Sequence, residues 1–528
     1  MKLSKPTLAF LVVLSSLFCV SLPSRAGVIT DDLQQVLSAA LPDDQIPIIV
    51  TMKDHVDLTQ FENKDKRIRR ASIIAALRDK AAVTQASLLA FSRAQNAQTV
   101  KSLWIINGIA MKASPAVIKT LSSQPDVEKV QLDVAVTLPE PAAAAELLAP
   151  EWNIEVSGAP VLWSLGFTGQ GVVVANMDTG VDVLHPDLAS RWRGGTNSWF
   201  DPYNEHPDTP YDNDGHGTQT MGIMVGGDAN GNTSIGMAPG AQWIAVKIFN
   251  DARASEYSAI HQGFQYLLDP DGQPATDDAP NVVNLSWTLE NPGNCTNEFQ
   301  EDINVFRASG IAVVVAAGND GPLAFTSTSP ANNGGALSVG AVTYTLDVQF
   351  LSSRGPSACN GKTFPSLAAP GQPILTTDLT FSGSSPDPYL VVSGTSFAAP
   401  HVAGAMALLL EAYPTLTVYE LEQGLLYSAT DRGPAGPDDD YGYGLLDVSQ
   451  AYTLLGLGLP ACKGDINRDG VINAIDLALF KQDFGTPNCA DIVGCGGDLN
   501  DDGVVDGRDL HLFAEEFGMI GCLTPFSQ

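Results

Sequence analysis

Between about Trp152 and Leu455 the chain repeats one pattern: short, almost wholly apolar runs such as "GVVVANMD", "WIAVKIF", "VVNLSW" and "IAVVVAAGN" alternate with helical stretches. A strand that is apolar along its length has no side fit for water, so both of its faces must be covered. Strands alternating with helices meet that demand as a parallel sheet with helices on both faces, an α/β fold. At 528 residues the chain is too long for one ordinary domain. Ahead of this region lies a smaller α+β pattern. "QIPIIVTMK" reads as a strand, "RRASIIAALRDKAAVTQASLLAFSRAQ" as a long helix and "SLWIINGIAMKAS" as a strand; "AVIKTLSSQ" follows as a short helix and "VEKVQLDVAV" as a strand. The pattern stops at "TLPEPAAAAELLAP", a Pro and Ala tract that reads as an exposed connector.

In an open α/β sheet the working residues gather at the carboxyl ends of the strands. "VVVANMDTGVD" delivers Asp178 there, "YDNDGHGTQT" places His216 at the start of a helix, and "VVSGTSFAAPHVAGAMALLL" places Ser396 before a long apolar helix. Singly, these are a turn residue, a structural histidine and a helix cap. Together they supply what a serine nucleophile needs: an imidazole to take its proton and a carboxylate to hold that imidazole in one tautomer. Other histidines fit less well. His55 lies in the N-terminal unit, His511 in the tail, and His185 precedes a proline; His401 is five residues from Ser396, which on a helix turns it roughly 140° away. Asn319, ending "IAVVVAAGND", and the backbone N–H of Ser396 are candidate donors to an oxyanion.

The N-terminus, "MKLSKPTLAFLVVLSSLFCVSLPSRAG", has two lysines, an apolar run too short for a bilayer span, and small residues at Ser24 and Ala26. It reads as a signal peptide cut after Ala26, and the mature protein is expected to be secreted, with no membrane span. Of seven cysteines, six remain after that cut, an even number in a compartment where disulfides persist. A net charge of −31 excludes a nucleic-acid partner, whose phosphates would be repelled, and favours calcium.

The order Asp, His, Ser with "DTG", "HGT", "AAGN" and "GTSFAAP" resembles the subtilisin-like serine peptidases. Within them, "WFDPYN", "SIGMAPGAQWIAVK" and "VVNLSW" resemble the bacillopeptidase F-like branch. The resemblance implies hydrolysis of polypeptide substrates, with Asp178 as orienting carboxylate, His216 as general acid and base, Ser396 as nucleophile and Asn319 as oxyanion donor. It also implies that backbone at Ser286, Trp287 and Thr288, with Ala316, Ala317 and Gly318, borders an extended bound peptide. The N-terminal unit resembles an inhibitor-type propeptide, the chain's own intramolecular inhibitor, with self-cleavage expected between Val136 and Pro150. Two positions depart from the family: Gln219 follows "HGT" where another His is common, and Thr288 stands where glycine is usual. "GGDANGNTSIGMAPG" lacks the longer calcium-holding loop of relatives, which leaves metal in this domain open. Cys295 and Cys359 are expected to pair.

The tail repeats itself at a shift of 33 residues: "CKGDINRDGVINAIDLALFKQDFG" from Cys462 aligns with "CGGDLNDDGVVDGRDLHLFAEEFG" from Cys495. Each copy has the spacing of a calcium loop, with side-chain oxygens at positions 1, 3, 5, 9 and 12, a glycine at 6 and a carbonyl at 7. The ligands of two Ca2+ ions are then Asp465, Asn467, Asp469, the Val471 carbonyl, Asn473 and Asp476, and Asp498, Asn500, Asp502, the Val504 carbonyl, Asp506 and Asp509. No amphipathic helix precedes either loop, and one follows each, so the repeat resembles a type I dockerin, which binds cohesin modules. Its usual Ser or Thr recognition pairs are here Ala474 and Ile475, then Gly507 and Arg508, so only a cohesin-like partner is expected. Bridges Cys462–Cys489 and Cys495–Cys522 are expected, although four cysteines allow three pairings.

Four segments follow: a signal peptide (1–26), an inhibitor-type propeptide (27–145), a subtilisin-like domain (146–458) and an all-α, dockerin-like calcium module (459–528). The expected function is a secreted serine endopeptidase tethered by its tail. A catalytically inactive, calcium-dependent adhesion protein is the alternative; it would be expected to lack a catalytic residue.

Overall fold

The structure is a computed structural model. It describes residues 27–457 except 62, 64, 139–141, 144–151, 228–233, 290 and 386–387, and in the tail 463–466, 472, 474–486, 489, 496–500 and 503–517. The signal segment lies outside these residues.

In the N-terminal unit, strands β1 (Val28–Ile29), β2 (Ile46–Met52), β3 (Gln98–Leu103), β4 (Gly108–Ala113) and β5 (Val127–Leu132) form one sheet in the order β1-β5-β2-β4-β3. Period-two alternation splits each central strand between two cores. Ile46, Ile48 and Val50 face the unit's own helices, with Leu33, Leu88 and Ile118, whereas Ile49 and Ala110 share a core with Phe264, Phe299 and Phe306 of the larger domain. The two domains therefore dock through buried apolar surface.

Three sequence expectations need correction here. "VEKVQLDVAV" is not one strand: β5 ends at Leu132, and Ala135–Thr137 pairs separately, with Ala254–Glu256 of the larger domain. The long helix breaks into Lys66–Thr84 and Ala86–Ala94 at Gln85, whose buried amide is drawn aside to Asn107 Oδ1 (3.0 Å) and Ser102 Oγ (2.7 Å). "SLWIINGIAMKAS" is a hairpin bend: β3 ends in a short 3₁₀ turn at Trp104–Ile106, which Asn107, at φ 46°, closes just before β4 begins at Gly108. The "NG" pair was the turn signal.

Beyond this sheet, β6 (Ala135–Thr137) and β7 (Ala142–Ala143) leave the unit and pair with the larger domain. There, β8 (Val173–Asp178), β9 (Trp199–Phe200), β10 (Gln242–Lys247), β12 (Val282–Leu285), β13 (Ala312–Ala316), β14 (Leu337–Thr343) and β15 (Leu367–Gln372) form an all-parallel sheet in the order β15-β14-β13-β12-β8-β10-β9. Three short strands lie outside it: β11 (Ala254–Glu256), antiparallel to β6, and β16 (Ile374–Thr377) and β17 (Tyr389–Ser393), with β17 antiparallel to β7.

Each parallel strand is apolar on both faces, as its sequence required. Val174, Val282, Val314 and Val339 lie under the helices His216–Val225 and Thr395–Ala412; Ala175, Val283, Val313 and Val315 lie under Tyr257–Leu268 and Gln300–Ala308. The helix Thr395–Ala412 is buried on nearly every side, which its Ala, Leu, Val and Gly content permits. Cys295 and Cys359 are joined by a disulfide, with their Cα atoms 4.8 Å apart. No helix among the described residues is long and apolar enough to cross a membrane.

Candidate active site

β8 ends at Asp178, which is fully buried, and Asp178 Oδ1 accepts from the backbone N–H of Thr179 at 2.8 Å. The same oxygen lies 2.7 Å from His216 Nδ1. His216 is the first residue of its helix, and the loop before it is held by Asp212, which accepts from the N–H groups of Asp214, Gly215 and Thr218 and from the Thr218 hydroxyl. The glycines of "DTG" and "HGT" let these segments meet. A Cβ on Gly217 would lie 2.1 Å from the Gly180 carbonyl oxygen, and one on Gly180, at φ 116°, would lie 1.9 Å from that of Tyr211. Burial alone would lower the His216 pKa, but the Asp178 carboxylate outweighs it, helped by Asp214 and Asp212, and the pKa is raised.

Ser396 is the second residue of the long central helix, entered through Gly394 at φ 142°. Its hydroxyl donates to the Ser286 carbonyl at 3.0 Å, and Ser286 Oγ donates back to the Ser396 carbonyl at 2.7 Å. The Ser396 hydroxyl thus donates to Ser286 rather than to His216, and rotation about χ1 lets a serine exchange such partners. Ser396, His216, Asn319, Ser286, Trp287, Thr288, Ala316 and Gly318 line one small cavity of about 30 Å3. Ala317 does not line it; that residue is buried in the core beneath. Trp287 presents backbone to the cavity while its ring packs against Phe299 and Phe249.

Asn319 Oδ1 accepts from Thr395 N (3.0 Å) and Thr395 Oγ1 (3.1 Å). Because a backbone N–H can only donate, this contact fixes the amide's orientation and leaves Nδ2, a donor, for the cavity. His401 and His185 are structural. Nδ1 of His401 donates to the Phe397 carbonyl, and burial lowers its pKa to about 4; His185 caps a short helix at Asp187.

Sequence reasoning missed a polar chain beneath the site. Asn176 donates to the Gly217 carbonyl (3.1 Å) and Thr220 Oγ1 (2.8 Å); Asn284 donates to Asn176 Oδ1 (3.0 Å) and to Ser286 Oγ (2.9 Å). It ties the His216 helix to the Ser396 backbone. A buried Asn in each of two apolar strands was the available signal. Also missed were the edges that hold the chain's own tail. β6 pairs with β11, Leu138 lines the cavity, and β7 pairs with Val392 and Ser393 just before Ser396.

In the tail, helices Ala474–Asp483 and Gly507–Glu516 bury Phe480 and Phe513 with Ile472, Leu499 and Val505. Asp465, Asp476 and Asp509 are buried carboxylates, and Asp509 accepts from the N–H groups of Leu499, Asn500 and Asp506. Asp498 accepts from Gly503, which at φ 88° makes the sharp turn expected at loop position 6. Asp506 caps its helix at Arg508. Buried acids drawn toward one loop fit a hard cation with oxygen ligands. Asn467, Asp469, Val471, Asn473 and Asp502 lie outside the described residues. Cys489 is disulfide-bonded, while Cys462, Cys495 and Cys522 lie outside them.

A model of the subtilase family matches residues 169–444, more than half of the chain. The chain belongs to the subtilase family, the subtilisin-like serine endopeptidases. Bacillopeptidase F of Bacillus subtilis (strain 168) is 31% identical over 441 residues, covering 76% of this chain and 30% of that protein. The alkaline protease of Alkalihalobacillus alcalophilus is 31% identical over 331 residues (62% of this chain, 77% of the relative), and subtilisin E of Bacillus subtilis (strain 168) is 31% identical over 353 residues (66% and 82%). This subtilase also matches a peptidase inhibitor I9 model over 48–139 and a dockerin type I model over 463–517. Gln219, one of its departures, is buried and donates to Asp378 Oδ1 at 3.0 Å.

Proposed function

We propose that this subtilase is a secreted endopeptidase that works through Asp178, His216 and Ser396 and is held inactive by its own N-terminal unit. The observation that carries the reading is the 2.7 Å contact between the buried Asp178 and His216 Nδ1, in a cavity shared with Ser396. Asp178 keeps the proton on Nδ1, so Nε2 is the base. Once Ser396 rotates toward it, Nε2 takes the hydroxyl proton as Oγ attacks the peptide carbonyl. Negative charge then develops on the carbonyl oxygen, where the Asn319 amide and the Ser396 N–H, at a helix N-terminus, are placed to receive it. His216 returns its proton to the leaving amine, and water repeats the sequence on the acyl-enzyme.

The segments are then a signal peptide (1–26), an inhibitor (27–145), a peptidase (146–458) and a calcium-dependent docking module (459–528) with a cohesin-like partner. In that module the two six-ligand sets would each hold one Ca2+, organising loop and helix, and the bridges Cys462–Cys489 and Cys495–Cys522 would secure each copy. Self-cleavage falls between Val136 and Pro150. That placement is supported by the pairing of β6 with β11, by Leu138 lining the cavity of Ser396, and by the pairing of β7 with Val392 and Ser393. The test is hydrolysis of casein by the secreted chain and its Ser396→Ala variant. Hydrolysis and propeptide shedding by the wild type alone are expected; equal activity in both, or shedding by neither, refutes the reading.

A further inference from the structure

The turn after β10 contains an arginine in a conformation that disfavours any side chain. Arg253 sits at φ 62°, in the left-handed region where glycine is at ease and other residues are strained. The turn around it is closely made: Asn250 Oδ1 accepts from Ala252 N and Ala254 N, both at 3.0 Å, and the Asn250 carbonyl accepts from Arg253 N at 2.9 Å. Glycine would serve this backbone better, so the side chain's contacts must account for the arginine.

Those contacts point in two directions. Nη1 pairs with Asp214 Oδ2, a carboxylate only 8% exposed and two residues before His216, whose backbone N–H donates to Asp214 Oδ1. Nη2 reaches the Leu138 carbonyl at 3.4 Å, while the Leu138 N–H donates to the Arg253 carbonyl at 3.3 Å. Leu138 occupies the cavity of Ser396 and His216 as the end of a strand lying along β11.

We propose that Arg253 is a positioning residue of the peptidase site, holding the backbone carbonyl of a bound peptide with one arm and neutralising Asp214 beside His216 with the other. The proposal rests on the triad reading above. A carbonyl is common to every polypeptide, so this grip adds affinity without choosing a side chain. The charges around His216 are Asp178 from β8 and Asp212 and Asp214 from the loop before its helix; from the Ser396 helix, the Phe397 ring packs against it and Ser396 shares its cavity. Nearby on β10, Lys247 is buried and already bound to the Thr179 carbonyl, Asn213 and Asp251, and His206 is bound to Asp251. That leaves Arg253 as the direct counter-charge of Asp214. With it gone, an ionised Asp214 holds the His216 proton more strongly.

The test uses the processed enzyme from the full-length chain, in Arg253→Gly, Arg253→Lys and Asp214→Asn forms and the Gly/Asn double variant, with kcat and KM measured against pH. In Arg253→Gly, the acid limb of kcat/KM is expected to rise by roughly half a pH unit. KM for a peptide long enough to reach β11 should rise about three- to tenfold, and KM for a truncated one should not. Thermal stability should be unchanged or higher, since glycine relieves the positive φ. Arg253→Lys should restore the limb but only part of KM, because lysine brings the charge without the fork. Asp214→Asn should lower the limb, and in the double variant the Arg253 effect on pH should vanish. An unmoved limb and KM in Arg253→Gly, an equal KM penalty on the truncated peptide, or a loss that follows destabilisation overturns the assignment. Activity surviving in Ser396→Ala would instead strike the triad reading itself.

Discussion

At the scale of single residues, the site is a set of groups whose roles follow from what each can donate or accept. Asn319 has its oxygen occupied by Thr395, so only its N–H groups face the cavity. Replacing it with alanine is expected to lower kcat about 100- to 1000-fold with little change in KM, the loss typical of an oxyanion donor; steady-state kinetics on a peptide ester checks this. The His216 pKa is raised, chiefly by Asp178 against the effect of burial. The base must be neutral to take the serine proton, so activity falls as pH drops through that value. The acid limb of kcat/KM is expected above the ordinary histidine value of about 6.5. Asp178, His216 and Ser396 were legible because their glycine neighbours mark segments that approach closely, and "DTG", "HGT" and "GTSFAAP" record those approaches in sequence. Arg253, Asn176 and Asn284 were not. Apart from the Asn284 contact with Ser286, their partners lie 39 to 115 residues away in the chain, and the local sequence carries no sign of a side chain's distant partner.

Among the elements, the contact between the inhibitor unit and the peptidase is where the proposed inhibition can be tested. The helix Tyr257–Leu268 has no side-chain cap of its own; the inhibitor supplies one, since Asp133 Oδ1 accepts from Ser258 N (2.9 Å) and the Val134 carbonyl from Tyr257 N (3.1 Å). Asp133→Ala is expected to weaken inhibition by about 1 kcal/mol, roughly fivefold in Ki, measured with separately added inhibitor unit. Arg70, only 3% exposed, donates to the Ser309 carbonyl and pairs with Asp277, so Arg70→Ala should weaken inhibition further. His55 of the inhibitor lies between Glu301 of the peptidase (2.9 Å) and its own Glu128 (3.0 Å). The hydrogen bond to Glu301 is the largest cause raising its pKa to about 9. A raised histidine pKa gives stabilisation that is full below about pH 6.5 and lost as pH rises through 9. Ki is therefore expected to rise between pH 7 and 10, and His55→Ala should flatten that dependence. Strands β2, β8, β10, β12 and β13 were legible from their apolar runs, whereas β9, β11 and β14 to β17, shorter or richer in polar residues, Gly and Pro, were not. The break at Gln85 was not, because the local sequence favours continuing the helix and a buried hydrogen-bond network overrides it.

Across the whole molecule, each part has its own apolar core: the inhibitor's, two on either side of the peptidase sheet, and the small one under Phe480 and Phe513. Among the described residues the tail's core is small, and the cation proposed for its buried acids would add to its stability. Chelation, or Asp509→Asn, is therefore expected to expose the tail to limited proteolysis, and Asp509→Asn, which touches the tail alone, to leave casein hydrolysis by the peptidase unchanged. The duplication and its spacing of oxygen-bearing residues were plain in the sequence, since both copies keep them within a few residues of one another. The central claim is that Ser396 is the nucleophile, activated by His216 and Asp178. It is tested most directly by labelling the processed enzyme with a fluorophosphonate and mapping the modified residue by mass spectrometry. One label is expected, on Ser396, lost in Ser396→Ala and strongly slowed in His216→Ala. A label on another residue, or labelling undiminished in either variant, would contradict it.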